Sequence, residues 1–353
     1  MRENGRAQGQ MATVKTAVVG VGLIGEQHAD AYHEYGRSEL VLVHDLNPDR
    51  ARTVGERFGC RWTTDLAEVA SSDAAVVSIA TPDHLHFEPT MQMLEAGKHV
   101  VVEKPLATTG EQARQMVDLA RARDLKVTVN LGNRWNPSFI NVRESVQAGE
   151  IGDPVFAYCR CSDTIWVPTT MLSWAGQSGP QWFLFAHTMD MLRWILGQDA
   201  TEVYAVDTKR ILQAKGIDAF DAIQAVVKFE RAFVTFETSW ILPEAWPAIV
   251  EFDLTINGSE GRLGYDGTRQ GFELSSDKVG KHMWARPSLW NYFKLPYTWW
   301  GALRNMVDCV ADGGEPAITA ADGLAITELI EATERSIAEG QPITLQGSHN
   351  VSC

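Results

Sequence analysis

The chain has 353 residues, 45% of them hydrophobic and 22% charged, with a formal net charge of −14. Such a length exceeds one ordinary hydrophobic core and fits two domains. The acidic balance argues against a nucleic-acid partner, whose phosphates call for basic patches, and no apolar run approaches the roughly 18 residues of a membrane helix.

Residues 1–12 read as a disordered leader: MRENGRAQGQ is polar, lacks the apolar stretch of a secretory signal, and leaves Met11 as an alternative start. Five cysteines without framework spacing suggest free thiols in a reducing, cytoplasmic setting. Cys159 and Cys161 lack zinc-ligand spacing, and no metal site is expected.

Thr16–Val19 is a short apolar strand running into Gly20–Val21–Gly22–Leu23–Ile24–Gly25, with a helical pattern from Ile24 to about Tyr35. In Gly-x-Gly-x-x-Gly the first glycine allows the tight turn and the second lets backbone approach a pyrophosphate. The third lets helix and strand pack closely, and the helix N-terminus faces the phosphates. A second strand, Leu40–His44, ends in Asp45. An acid there accepts hydrogen bonds from the adenosine ribose and repels a 2′-phosphate. No arginine follows directly in Leu46–Asn47–Pro48, so NAD is expected rather than NADP.

The βα rhythm continues through a charged helix, Pro48–Phe58, stopped by Gly59, and a short helix, Asp65–Ala70. The strand Ala74–Ala80 ends in Thr81–Pro82–Asp83–His84–Leu85–His86. After the helix Leu85–Ala96, the buried run His99–Val102 ends in Glu103–Lys104–Pro105. In open α/β sheets ligands bind outside the carboxyl ends of strands, which is where this acid and base fall. An amphipathic helix, Gly110–Arg123, leads to Lys126–Val129, read as the sixth strand of a doubly wound parallel sheet.

Taken together, these segments resemble the glucose–fructose oxidoreductase, inositol dehydrogenase and rhizopine-catabolism (Gfo/Idh/MocA) family. The matching pieces are Gly20-x-Gly22-x-x-Gly25, Thr81–Pro82–Asp83-x-x-His86, and Ala96–Gly97–Lys98–His99–Val100 running into Glu103–Lys104–Pro105. Asn133–Arg134–Trp135-x-Pro137, His187-x-x-Asp190 and Trp194 extend the likeness over residues 13–200. The resemblance implies a Rossmann NAD-binding domain over 13–135. It also implies an α+β substrate-binding and oligomerisation domain over 136–353, built on a large open, mainly antiparallel sheet. The expected cofactor site is Gly20, Gly22, Leu23, Ile24, Gly25, Asp45, Thr81, Pro82, His86, Glu103 and Lys104. The family lysine lies beside the reacting carbon, and its bond to proline is often cis. The implied substrate is a sugar, a sugar derivative or a cyclitol.

In the second half, Pro137–Gln147 reads as a helix and Pro154–Ser162 as the first strand of the new sheet. Asp163 and Trp166 follow in a loop that could reach the substrate, and Arg134 and Trp240 are further substrate candidates. Gly179–Pro180 opens a helix from Gln181 to Leu196 that carries His187. A histidine with an ordinary pKa near 6.5 suits removal of an alcohol proton, and Lys104 suits stabilisation of the alkoxide. Similar enzymes carry an aspartate four residues before the histidine; here that residue is Phe183. Asp190 shares a helix face with His187 and could orient it, although Arg193 is equally placed to pair with Asp190.

From Thr201 short strands alternate, with turns expected at Glu230–Arg231 and Asn257–Gly258. The exposed face of that meander is an interface candidate for a homodimer or homotetramer. The aromatic run Trp284, Trp290, Tyr292, Tyr297, Trp299, Trp300 suits either sugar faces or subunit contacts. The leading expectation is an NAD-dependent dehydrogenase or reductase. A redox-neutral enzyme that oxidises a glycoside transiently and then eliminates its substituent is the alternative. A non-catalytic NAD or sugar sensor comes third, since it needs neither Lys104 nor His187.

Overall fold

The computed structural model describes residues 12–267, 271–276, 281–285 and 296–345. The leader expected at the N-terminus lies outside the described residues apart from Ala12, as do Trp290 and Tyr292 of the aromatic run. Trp284 falls in a strand, and Tyr297, Trp299 and Trp300 fall in a helix.

The first half folds as a six-stranded sheet, parallel throughout. Its strands are β1 (Val14–Val19), β2 (Ser38–His44), β3 (Arg61–Thr63), β4 (Val76–Ile79), β5 (His99–Val102) and β6 (Val127–Val129). The order is β3-β2-β1-β4-β5-β6. Continuous apolar runs form the inner strands, and Val100, Val101 and Val102 of β5 are fully buried, as expected where helices cover both faces. Periodicity does not single out β3: it is three residues long with Arg61 and Trp62 exposed, an edge strand. Asn47 caps the helix Pro48–Phe58 with its side chain, and Gly59 at φ +66° closes it. The strand order reverses between β1 and β4, which opens a crevice at their carboxyl ends.

The second sheet has nine strands in the order β14-β13-β12-β11-β7-β10-β9-β8-β15. They are β7 (Pro154–Thr164), β8 (Ala200–Thr208), β9 (Ala222–Phe229), β10 (Phe233–Leu242), β11 (Val250–Gly258), β12 (Gly261–Asp266), β13 (Gly271–Ser276), β14 (Lys281–Ala285) and β15 (Ile343–Thr344). Among the described residues only the β10–β7 pair of this sheet is parallel. The hairpin expected at Asn257–Gly258 turns two residues later, at Ser259–Glu260. Gly258 stays in the strand, and there only glycine fits, because a Cβ would sit 2.1 Å from the Ile151 carbonyl oxygen.

Period-two alternation divides this sheet cleanly. Cys159, Cys161, Ala225, Val227, Phe236, Trp240 and Leu254 point inward into one core with the helix Ala186–Leu196. Outward, cross-strand rows run Glu202–Lys228–Phe233–Phe156–Asn257 and Tyr204–Val226–Thr235–Tyr158–Thr255. This outer face mixes exposed Phe156, Phe233, Tyr204 and Val226 with ion pairs such as Lys228–Glu202 at 2.6 Å.

The chain then crosses back. The helix Pro296–Asp312 places Leu303, Met306 and Val307 against Val18, Val43 and Val101 of the first sheet. The helix Ala320–Glu339 contributes Leu324 to the first half and Ile326, Leu329 and Ile330 to the second. The Rossmann half therefore takes covering helices from residues beyond 135, which a boundary drawn at 135/136 does not anticipate.

Candidate active site

Three glycines shape the crevice beside β1. Gly20 sits at φ +82°, and a Cβ there would meet the Ala80 carbonyl oxygen at 2.9 Å. At Gly25 a Cβ would lie 1.7 Å from the Gly20 oxygen. At Gly22 it would meet nothing within 4 Å, so this glycine is not required by the protein's own packing. Gly22 also precedes the helix Leu23–Glu34 without a side-chain cap, leaving its first N–H groups directed at the crevice. Leu23 and Ile24 are exposed at the same end. Asp45 at the end of β2 is buried, accepting from the Val21 N–H at 3.0 Å and the Asn47 N–H at 2.9 Å. Arg50, five residues on, reaches the same carboxylate at 3.3 Å. These residues fit a dinucleotide: an open glycine for the pyrophosphate and a fixed carboxylate for the ribose.

Glu103 and Lys104 follow β5, and the Lys104–Pro105 bond is cis. Glu103 accepts from Asn130 Nδ2 at 2.6 Å and meets His28 Nε2 at 2.8 Å. Burial alone would raise its pKa. The hydrogen bond and charge of His28, with Asn130 and Lys104, overcome that and hold it at about 2. His86 bridges two backbone carbonyls, Pro105 O at 2.7 Å and Thr81 O at 2.9 Å, and Thr81 Oγ1 donates to Leu85 O. His86 and Thr81 therefore fix the loop that carries Lys104. Pro82 begins the turn between them. Neither His28 nor Asn130 is among the residues singled out from the sequence. The available signal is position: Asn130 ends β6, and His28 lies on the first turns of the glycine-motif helix.

Lys104 Nζ donates to the Phe183 carbonyl at 3.3 Å and stands 3.8 Å from the centre of the Phe183 ring. A π-helical turn, Gln181–Phe185, leads into the helix Ala186–Leu196, and Glu334 anchors it by accepting from Gln181 at 2.8 Å and Trp182 at 2.9 Å. Phe183 meets Trp174 and Trp240 edge-on, with ring centres 6.2 and 5.7 Å apart. Trp240 Nε1 in turn donates to Asp163 Oδ2 at 3.2 Å. Trp166 lies half-buried just past β7.

The proton affinities here differ from ordinary values. Burial, and then the Lys104 charge, push His187 down to about 3. The imidazole is thus neutral at working pH, and the expectation of a histidine near 6.5 is corrected for the protein without substrate. Burial raises Asp163 to about 7 against the opposing Trp240 hydrogen bond and Lys104 charge.

Arg134 and Asp190 come together, but with each other. Arg134 Nε donates to Asp190 Oδ2 at 2.9 Å, and Arg134 also pairs with Asp322 at 3.4 Å. Arg193 joins this buried group through Asp322 at 2.6 Å and Asp199 at 2.7 Å. The carboxylate expected to orient His187 is held by a buried guanidinium, and the arginine expected at the substrate is spent on that ion pair. Their spacing within the helix gave no sign of this, because the partners lie 56 residues apart. Among the described residues no cluster of three or more His, Cys, Asp or Glu could hold a metal ion.

A parallel Rossmann sheet with an open glycine turn after β1, a buried lysine after β5 and a second, mainly antiparallel sheet is the architecture of a dinucleotide-dependent oxidoreductase. The comparisons with known proteins agree. Residues 14–131 match the model of the oxidoreductase family with an NAD-binding Rossmann fold, and residues 139–264 match that of the Gfo/Idh/MocA C-terminal domain. The chain belongs to the Gfo/Idh/MocA family, and its cofactor is NAD.

Among relatives, inositol 2-dehydrogenase of Rhizobium meliloti is 26% identical over 339 residues, covering 94% of this chain and 99% of that one. Levoglucosan dehydrogenase of Pseudarthrobacter phenanthrenivorans is 29% identical over 233 residues, covering 61% and 60%. A solved levoglucosan dehydrogenase in complex with NADH shares the fold at a TM-score of 0.84 and 24% identity, over 95% of this chain and 99% of that one.

Proposed function

We propose that this protein is an NAD-dependent dehydrogenase or reductase acting on a secondary alcohol or ketone of a sugar, sugar derivative or cyclitol. The observation that carries this reading is the buried Lys104 ammonium, which follows β5 at the carboxyl end of the first sheet and stands over the Phe183 ring of the π-helical turn. The inositol and levoglucosan dehydrogenases among its relatives support the substrate class.

Gly20, Gly22, Gly25 and Asp45 would hold the NAD, with Leu23 and Ile24 at the helix end against it. When bound, the cofactor supplies a hydride acceptor. Lys104 stabilises negative charge developing on the substrate oxygen. Glu103, ionised at any working pH, balances the lysine and fixes its loop. Neutral His187 can hydrogen-bond another hydroxyl of the substrate. Phe183 and Trp174, both half-buried, cover the C–H face of the substrate and exclude water, with the fully buried Trp240 packed behind Phe183. A panel of sugars and inositols, offered with NAD and NADP in parallel, tests the reading through absorbance of the reduced nicotinamide. Lys104→Ala should abolish turnover while retaining NAD binding; undiminished turnover overturns the role of Lys104.

Phe183, standing where the family aspartate is expected, favours one second reading, redox-neutral glycoside cleavage. That reaction releases an aglycone with catalytic NAD and no net NADH, so stoichiometric NADH excludes it. The outer face of the second sheet suits a second copy of the chain, because its aromatic and aliphatic residues alternate with both signs of charge. Four of the cysteines, Cys60, Cys159, Cys161 and Cys309, are free, which suits a reducing cytoplasm. No helix among the described residues is long and apolar enough to cross a membrane.

A further inference from the structure

Asp163 sits near the end of β7 on the same inward face as Cys159 and Cys161, 1% exposed. One carboxylate oxygen, Oδ2, is fixed by the Trp240 indole. The other, Oδ1, is buried without a hydrogen-bond partner among the described residues. An unpaired buried acceptor costs free energy, and a structural role for Asp163 needs only the oxygen that Trp240 already uses. The same Trp240 ring packs on Phe183, over which the Lys104 ammonium stands. The helix position where similar enzymes carry a carboxylate here brings a phenyl ring, and the carboxylate bonded to the Trp240 indole behind that ring comes from the sheet.

Resting on the dehydrogenase reading above, we propose that Asp163 is a catalytic residue that takes the proton of the reacting hydroxyl on Oδ1. In oxidation the substrate O–H bond breaks and its proton goes to Asp163. The electron pair of that bond becomes the second bond of the new carbonyl, and the C–H bond breaks with its pair passing to the oxidant, NAD. In reduction Asp163 returns the proton.

The surroundings suit this exchange. Lys104, from the loop after β5, is the charge that acts on Asp163, and the Cys161 thiol shares its strand face; His187 on the helix feels the same Lys104 charge, and Glu251 of β11, opposite Ser162, stands on the other face of the sheet. Burial lifts the Asp163 carboxyl to about 7, where a general base works best, whereas His187 at about 3 holds a proton poorly.

Two measurements test the proposal. Infrared difference titration of the protein without substrate, wild type against Asp163→Asn, should show a protonated carboxyl band lost with a midpoint near pH 7; no such band at pH 5 overturns the proposal. In steady-state kinetics Asp163→Asn should lower kcat by about 10²–10⁴-fold, remove the acid limb of the kcat profile and leave NADH affinity unchanged. Asp163→Glu should recover part of kcat with a shifted limb. If Asp163→Asn raises KM alone, with kcat and its pH profile as in the wild type, Asp163 only binds substrate and the proposal is wrong. If the wild type reduces no NAD with any sugar or inositol, the dehydrogenase reading fails, and with it the catalytic role. The infrared band then still decides whether Asp163 holds a proton near neutrality.

Discussion

At the scale of single residues, Glu103 is the clearest case of environment setting chemistry. Its fall from an ordinary 4.5 to about 2 corresponds to about 3 kcal/mol. The folded-state value lies below the unfolded one, so this stabilisation is complete above about pH 4.5 and is lost as pH falls through about 2. Glu103→Gln should therefore cost most at pH 7, and its deficit should shrink by roughly 2 kcal/mol at pH 3. Denaturant midpoints for both proteins at the two pH values measure it, and an equal deficit at both contradicts the assigned coupling to His28 and Asn130. Gly22 separates folding from cofactor binding in the same way. A Cβ there meets nothing within 4 Å, and the backbone lies at φ −71°, which any residue adopts. Gly22→Ala should leave the melting temperature nearly unchanged and weaken NADH binding at least about tenfold, because the methyl group occupies the space the pyrophosphate needs. Fluorescence titration with NADH decides it; unchanged affinity rules out Gly22 as the phosphate contact.

At the scale of elements, what can be read from the sequence is what is local. The glycine motif, the apolar strands and Glu103–Lys104–Pro105 are each written within a dozen residues, and each stands where expected. Side-chain partnerships between distant elements are not. Lys104, Asp163, Phe183 and Trp240 belong to a loop, two strands and a π-helical turn, and nothing in their spacing says that they meet. The pairing of Arg134 with Asp190 is equally silent: within the helix, Asp190 has His187 and Arg193 at hand, yet a guanidinium from the loop after β6 takes it. That buried group ties the loop, the helix Ala186–Leu196 and the helix Ala320–Glu339 together. Asp322 serves it twice, as partner of both arginines and as the third residue of a capping box with Thr319. Asp322→Ala leaves two buried guanidinium groups short of a partner and should cost about 3–5 kcal/mol. Loss of the exposed Lys126–Glu315 pair, by contrast, should cost at most about 1 kcal/mol. Urea denaturation of the two variants compares them directly, and similar losses would mean that the buried network is not holding these elements.

At the scale of the whole molecule, the inner face of the second sheet is used by the site and its helix, which leaves the outer face to account for. Tyr204, Val226 and Phe233 are each between 41 and 43% exposed, and Val226 stands between Tyr204 and Thr235 in its row. Such a stripe is a candidate for burial against a partner, and the interleaved Lys228–Glu202 and Arg160–Glu251 pairs give the face both signs of charge. Two copies related by a two-fold axis can then match apolar rows and oppose unlike charges, as a closed isologous interface requires. Val226→Asp places a carboxylate within that stripe, twice per interface. It points away from the core that holds Trp240 and Asp163, so folding and NADH binding should survive. Sedimentation velocity should show the wild type as a dimer or tetramer and Val226→Asp shifted towards monomer by at least about tenfold in dissociation constant, as expected when a charge is buried unpaired. A wild type that sediments as a monomer, or a variant that assembles as tightly, removes this face as the interface.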